Sequence, residues 1–164
     1  MTIKSRLVNL RQKSLKYYPK EIMFLSKSCM YGIRALLYLT LERERKFVSI
    51  KEISERLNIS FHFLTKILQE LSRENILLSF KGPKGGVALA KHPLEITLLD
   101  IINIIDGPAI FEECILGLPD CKGGKACPLH CQWTSERERL KTEFQNSDLE
   151  SVSKKIIEND LRLY

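Results

Sequence analysis

Four of the five cysteines and one of the three histidines in this 164-residue chain fall between Cys114 and Cys131. Cys114, Cys121 and Cys127 are separated by six and then five residues, and His130 and Cys131 follow closely. Thiolates and imidazole are ligands for zinc, copper(I) and iron–sulfur clusters. Gly117, Pro119, Gly123 and Gly124 let the intervening backbone fold tightly. The loop has little apolar content to hold its own shape, so a bound metal group is its expected organiser. The competing reading is a set of unrelated free or disulfide-bonded thiols.

The rest of the chain must position those donors. At 44% hydrophobic residues it can build a core. The longest apolar run, Ile33–Leu41, is broken by Arg34 and Thr40 and falls short of the ~18 residues a membrane helix needs. Residues 1–22 lack the apolar segment of a secretory signal. The expected address is therefore cytoplasmic, where disulfides are rare and clustered cysteines lean towards metal. No membrane association is expected. No paired carboxylates or nucleophile–base arrangement suggests catalysis, and the chain is expected not to be an enzyme.

Charge divides the chain. The net charge of +6 is distributed as +5 over residues 1–22, +1 over 23–44, +5 over 45–92 and −5 over 93–164. A polyanion should meet residues 45–92. Three parts are expected: a basic, unstructured extension over 1–22, a DNA-binding domain over 23–95, and a segment over 96–164 with the metal-binding loop and dimerisation helices. The extension could also be a DNA-binding arm, or sequence upstream of a true start at Met23.

Residues 25–43 read as a helix apolar nearly all round, capped by Ser26 or Ser28 and buried on more than one side. Ser49-Ile50-Lys51-Glu52 is a capping box opening a short helix with Ile50, Ile53 and Leu57 on one face. Asn58-Ile59 interrupts it, and Ser60 can cap a second helix with the stripe Leu64, Ile67, Leu68, Leu71. This is a helix-turn-helix. Strands over Ile76–Lys81 and Val87–Lys91, joined through Gly82-Pro83-Lys84-Gly85-Gly86, make a wing with Lys81 and Lys84 at its tip. Opposite the buried stripe stand His62, Thr65, Lys66 and Gln69; Ser60, His62 and Thr65, nearest the N-terminal end, are the better candidates for base edges. Thr97 with Asp100 opens another helix, ended by Gly107-Pro108. Pro128 fits the first turn of a helix capped near Cys127 and running through Trp133, Leu140 and Phe144. Ser147 with Glu150 starts a last helix bearing Val152 and Ile156. The fold class is mainly α with a small β-hairpin: a winged helix-turn-helix plus a long C-terminal helix suited to dimerisation, unless that helix packs back on its own domain.

The run Leu25-Ser26-Lys27, Tyr31, Arg34-Ala35-Leu36, Ile53-Ser54-Glu55-Arg56-Leu57-Asn58-Ile59-Ser60, Lys81–Gly86, Ile101-Ile102, Asp106-Gly107 and Cys114…Cys121…Cys127-Pro128-Leu129-His130…Trp133 resembles a known family. It is similar to the BadM-type winged-helix regulators that include the iron–sulfur regulator IscR and the nitric-oxide sensor NsrR. The resemblance covers about two-thirds of the chain, in the family's order. It implies a homodimeric regulator, expected to be a repressor, that binds double-stranded promoter DNA and whose iron–sulfur cluster, 2Fe–2S before 4Fe–4S, adjusts affinity. The implied cluster ligands are Cys114, Cys121, Cys127 and, as in IscR-like members, His130. The implied DNA readers are Ser60, His62, Phe63 and Thr65, with Lys81 at the wing, where the family often has arginine.

Three departures bear on the site. The first cysteine gap is six residues where five is common. Cys131 is additional, and from Cys127 positions +3 and +4 lie on one helix face, so His130 or Cys131 could complete the set. Where NsrR-like members take a carboxylate just before the Tyr31 position, this chain has Met30, preceded by Cys29. The fourth ligand is thus His130 first, Cys131 second and Cys29 last. The rival expectations are a structural zinc, which the cysteine gaps fit poorly, a regulator with no cofactor, and a redox carrier, which leaves the winged helix unexplained.

Overall fold

The computed structural model describes residues 24–82, 85–119, 121 and 127–163. The extension over 1–22 and the wing-tip Lys84 lie outside the described residues. The elements run α1 (Lys27–Leu41), α2 (Ile50–Leu57), α3 (Phe61–Arg73), β1 (Leu77–Phe80), β2 (Gly86–Leu89), a 3-10 turn (Pro93–Glu95), α4 (Leu98–Ile105), α5 (Ala109–Glu112), α6 (His130–Gln145) and α7 (Leu149–Glu158). This is the expected mainly helical architecture with a two-stranded wing.

Helix α1 is the central element. Ser26 caps it, its hydroxyl accepting from the Cys29 N–H at 3.0 Å. It buries Ala35, Leu36, Leu37, Tyr38 and Leu39 from several sides, which is why it is apolar nearly all round. Arg34 ties it to its surroundings through the Leu57 and Leu163 carbonyls, both at 3.2 Å. At Gly32 three helices meet: a Cβ there would stand 2.6 Å from Ile105 Cδ1 of α4 and 3.3 Å from Ile67 Cγ2 of α3. Glycine lets α1 approach both closely, and any side chain here must first push the end of Ile105 aside.

Helix α2 starts at Ser49, whose hydroxyl accepts from the Glu52 N–H at 3.2 Å. The second half of the expected capping box does not form. The Glu52 carboxylate instead accepts from Arg45 Nη2 at 2.8 Å and from the Tyr38 hydroxyl at 3.0 Å. A charged guanidinium outcompetes one backbone N–H for the same oxygens, and it holds the Glu52 carboxyl below its usual range. Asn58, at φ 52° in the left-handed region, ends the helix. In α3 the stripe Leu64, Ile67, Leu68, Leu71 is buried as the periodicity predicts. Ser60 occupies the cap position, but its hydroxyl makes no capping bond, contrary to expectation.

The wing pairs antiparallel from Leu77↔Leu89 to Phe80↔Gly86. Its strands are shorter than the sequence suggests. A bridge unseen in the sequence clamps its base: Val48 and Val87 exchange N–H···O bonds at 3.0 and 2.9 Å. Gly86 permits this contact, because a Cβ there would fall 2.2 Å from the Val48 carbonyl oxygen.

Helix α4 carries both halves of the Thr97–Asp100 capping box. It ends at Asp106 and Gly107, the latter at φ 77°. The Asp106 carboxylate accepts from the Ser26 N–H at 2.8 Å, which joins the end of α4 to the start of α1. Helix α7 begins one residue later than expected. Asp148, not Ser147, caps it by accepting from the Ser151 N–H at 2.8 Å, while the Ser147 hydroxyl donates back to the Glu143 carbonyl at 2.7 Å. Leu149, Val152 and Ile156 of α7 pack into the same core as α1–α3 and the wing. Helix α6 differs. Leu140 and Phe144 rest on a smaller cluster of Cys29, Leu99, Ile102 and Phe111, and most of its remaining surface is exposed. Among the described residues no helix is long and apolar enough to cross a membrane.

Candidate metal centre and nucleic-acid interface

The cysteine loop leaves the short helix α5, which the sequence did not announce, and ends at α6. At its start the Cys114 carbonyl accepts from the Gly117 N–H at 2.8 Å, and Gly117 takes φ 64°. This turn aims the Leu118 and Leu116 N–H groups at the Cys114 sulfur and lowers its thiol from 9.0 to about 7. Hydrogen bonds to the charged form favour that form. Cys127 goes the other way: burial, with the Cys121 thiol beside it, raises its pKa. A lowered pKa favours the thiolate, the form in which Cys114 would bind a metal.

The Cys114, Cys121 and Cys127 sulfurs lie within 4.8 Å of one another. Cys114 Sγ and Cys127 Sγ are 3.7 Å apart. Two thiolates on one tetrahedral metal, each at about 2.3 Å, stand roughly 3.8 Å apart, so the spacing suits a shared metal. All five cysteines are free thiols in this structure. His130 reaches the edge of the trio, its Nδ1 3.4 Å from Cys121 Sγ. Helix α6 starts two residues later than expected: Pro128 precedes it and Leu129 holds the cap position without a side-chain bond. Cys131 is exposed on its first turn and lies outside the trio. Cys29 is fully buried against Leu99, Ile102 and Phe111, where burial and the neighbouring Asp106 carboxylate push its thiol up to about 12. That environment makes an inert thiol.

Two residues close the loop: Trp133, to which the sequence reading gave no role at the site, and Arg137, which it missed. Trp133 Nε1 and Arg137 Nη1 both donate to the Glu113 carbonyl, at 2.9 and 2.8 Å. They fasten the residue before Cys114 to α6. Their i, i+4 spacing puts them on one helix face; that was the available signal.

On the opposite, basic part of the chain, Ser60, His62, Phe63 and Lys66 are exposed on and beside α3. Thr65 is half-buried and its hydroxyl donates to the Phe61 carbonyl at 2.7 Å, leaving its lone pairs and methyl for any ligand. Phe63 stands edge-on to Tyr31 at 5.9 Å, and Phe61, also unforeseen, edge-on to His62 at 5.6 Å. Lys81 is exposed where β1 runs into the wing tip. Ser60, His62, Phe63 and Lys66 are thus open to solvent along the first half of α3, with Thr65 half-buried and Lys81 exposed on the wing.

Comparison with known proteins adds the family. The model of the Rrf2 family, described as "Iron-dependent Transcriptional regulator", matches residues 25–155. A protein of Aquifex aeolicus described as an HTH-type transcriptional regulator is 33% identical over 132 residues, covering 79% of this chain and 91% of the relative. The regulator IscR of Klebsiella pneumoniae is 32% identical over 125 residues, 76% of each chain. Among solved structures, the global cysteine regulator CymR of B. subtilis superposes with a TM-score of 0.69 at 25% identity, covering 79% of this chain and 95% of its own. The T. potens IscR structure, at 22% identity, shows the same fold with a TM-score of 0.69, covering 84% and 91%. These relatives are regulators rather than enzymes. The chain belongs to the Rrf2 family of winged-helix transcriptional regulators.

Proposed function

We propose that the chain is a homodimeric, promoter-binding repressor whose DNA affinity is set by an iron–sulfur cluster held by Cys114, Cys121, Cys127 and His130. The observation that carries this is the convergence of three thiol sulfurs within 4.8 Å on the loop between α5 and α6. Thiolates with one imidazole are an iron–sulfur donor set. The close pairs Cys114/Cys127 and Cys121/His130 suit a 2Fe–2S group, in which each iron takes two protein ligands. Bound there, the cluster would supply redox- and ligand-sensitive iron. Cys131 is the second choice for fourth ligand.

The loop's coupling to DNA runs through this chain's own packing. It follows α4 and α5, and α4 presses Ile105 over Gly32 close to Ile67 on the recognition helix. Loss of the cluster removes the loop's organiser, because metal-binding free energy is also the folding free energy of such a site. A shift of α4 then tilts α3. In a dimer, two recognition helices must match half-sites about 34 Å apart, so a small tilt changes affinity. Helix α6, exposed along most of its length, is the surface we assign to dimerisation.

The test is the visible absorption of anaerobically purified protein, with iron and sulfide quantified and promoter binding measured with and without the cluster. A coloured protein with iron and sulfide present, and with cluster-dependent affinity, supports the proposal. A colourless protein containing zinc supports a structural site instead. Colour with no change in affinity on cluster removal points to a redox carrier.

On the DNA side, Lys81 is expected to contact phosphate, and Ser60, His62, Phe63, Thr65 and Lys66 to lie at the groove, with Lys84 at the wing tip. Lys81→Ala should weaken binding on every sequence and lower the salt slope by about one unit, read by fluorescence anisotropy between about 50 and 200 mM salt. Thr65→Ala should change sequence preference with little change in slope. Unchanged binding in both variants counts against this docking face.

A further inference from the structure

Helix α6 buries a single residue, and it is charged: Arg137 is 6% exposed. Nη1 donates to the Glu113 carbonyl at 2.8 Å and Nη2 to the Thr134 hydroxyl at 3.4 Å. Nε is buried with no partner. Among the described residues no carboxylate pairs with this guanidinium. Arg137 instead lines one small cavity together with Glu112, Cys114, Cys121, Cys127, His130 and Trp133. A buried cation without a counter-ion is costly, and an unmet buried N–H adds to that cost. Among the described residues the exposed Glu112 carboxylate also borders this cavity and makes no ion pair with Arg137, and the three thiols, once ionised, add their negative charge to the same cavity.

We propose that Arg137 is a positioning residue for the metal centre, fastening the loop at Glu113 and setting a permanent positive charge and a free Nε–H against the anionic thiolate group. This rests on the iron–sulfur reading above and deepens it. Two consequences follow from charge and geometry. A fixed cation favours whichever state of the centre is more negative, which is the reduced state. A planar fork that holds the Glu113 carbonyl slows opening of the loop; lysine keeps the charge and lacks the fork. Trp133 provides the internal comparison, because its indole holds the same carbonyl at 2.9 Å and carries no charge.

The experiment uses the full chain purified anaerobically with its cluster. Midpoint potential is measured by mediated titration with dithionite, and the rate of iron loss is measured against EDTA. Arg137→Met is expected to shift the reduced-to-oxidised ratio about tenfold towards the oxidised form, a fall of about 59 mV for one electron, and to speed iron loss. Arg137→Lys should keep the wild-type potential while losing iron faster. Trp133→Phe should also speed iron loss and leave the potential in place. Arg137→Met with wild-type potential and wild-type iron loss overturns the proposal. So does a Trp133→Phe shift in potential as large as that of Arg137→Met, because Arg137 would then act only by holding the loop. If Arg137→Met does not fold, Arg137→Lys decides: a tenfold shift with charge retained overturns the proposal, and an unmoved potential with faster iron loss supports it. Wild-type protein without iron and sulfide overturns both this proposal and the reading beneath it, whereas loaded wild-type with unaltered variants overturns only the role of Arg137.

Discussion

Cys127→Ala protein purified under argon is expected to be colourless, with iron and sulfide lowered at least about tenfold, the scale on which even supporting residues around a metal affect its binding. Cys127 is 8% exposed, lies 3.7 Å from Cys114 through its sulfur, and passes through its carbonyl into the first turn of α6, where the His130 N–H meets it at 3.0 Å. Removing this thiol takes one donor from the trio. His130→Ala should also lower loading, but less severely, since His130 reaches only the Cys121 edge of the group. Cys131→Ala should load like wild-type, because that thiol is exposed and lies outside the trio. Iron and sulfide assays on the three variants side by side check the order. Loading that survives His130→Ala and fails in Cys131→Ala would reverse the assignment of the fourth ligand. The apo forms should unfold at nearly the same temperature, because the main core of α1–α4, α7 and the wing does not include the loop.

Gly32 is where the second large effect is expected. Gly32→Leu should destabilise the apo protein by roughly 3 kcal/mol, the upper part of the range for overpacked sites, which lowers the unfolding temperature by on the order of 10 °C for a chain of this size. The side chain would have to fit between Ile105 of α4 and Ile67 of α3, which already stand 2.6 and 3.3 Å from the position of the first added carbon. Gly32→Ala should be close to neutral: the flexible end of Ile105 can swing aside, and alanine regains about 1 kcal/mol of helix propensity over glycine. Thermal unfolding distinguishes the two variants. A second measurement connects this junction to function. Because α4 leads into the cysteine loop and α3 carries the DNA-reading candidates, Gly32→Ala should alter promoter affinity more than stability. Equal stability for the leucine and alanine variants would show that α4 does not press on α3 as drawn.

What could be read from the residues was whatever local rules decide. The α3 stripe Leu64, Ile67, Leu68, Leu71 follows helical periodicity and is buried. The Thr97–Asp100 box formed in full because both partners sit within one turn, and among the described residues Asp100 makes no ion pair. The equivalent box at Ser49 formed by half, because Arg45, outside that helix, took the Glu52 carboxylate. The Val48–Val87 bridge was invisible because it joins residues 39 apart that share no periodic pattern. Helix α5, at four residues, is too short to carry a periodicity of its own. Arg137 was missed for a different reason. In a helix otherwise polar, one more arginine looks like solvated surface, and only the fold reveals that its head group is enclosed.

The sequence by itself determined the donor types, their order along the chain and the winged-helix frame that carries them, because those follow from local chemistry and period. The tertiary structure decided which donors meet. It brought Cys114, Cys121 and Cys127 within 4.8 Å, set His130 at their edge and left Cys131 outside. It also enclosed Arg137 beside the trio. The reason is that a loop's spacing limits how far its residues can reach, while the bonds from Trp133 and Arg137 to the Glu113 carbonyl, made across twenty and twenty-four residues, hold its ends where they can converge.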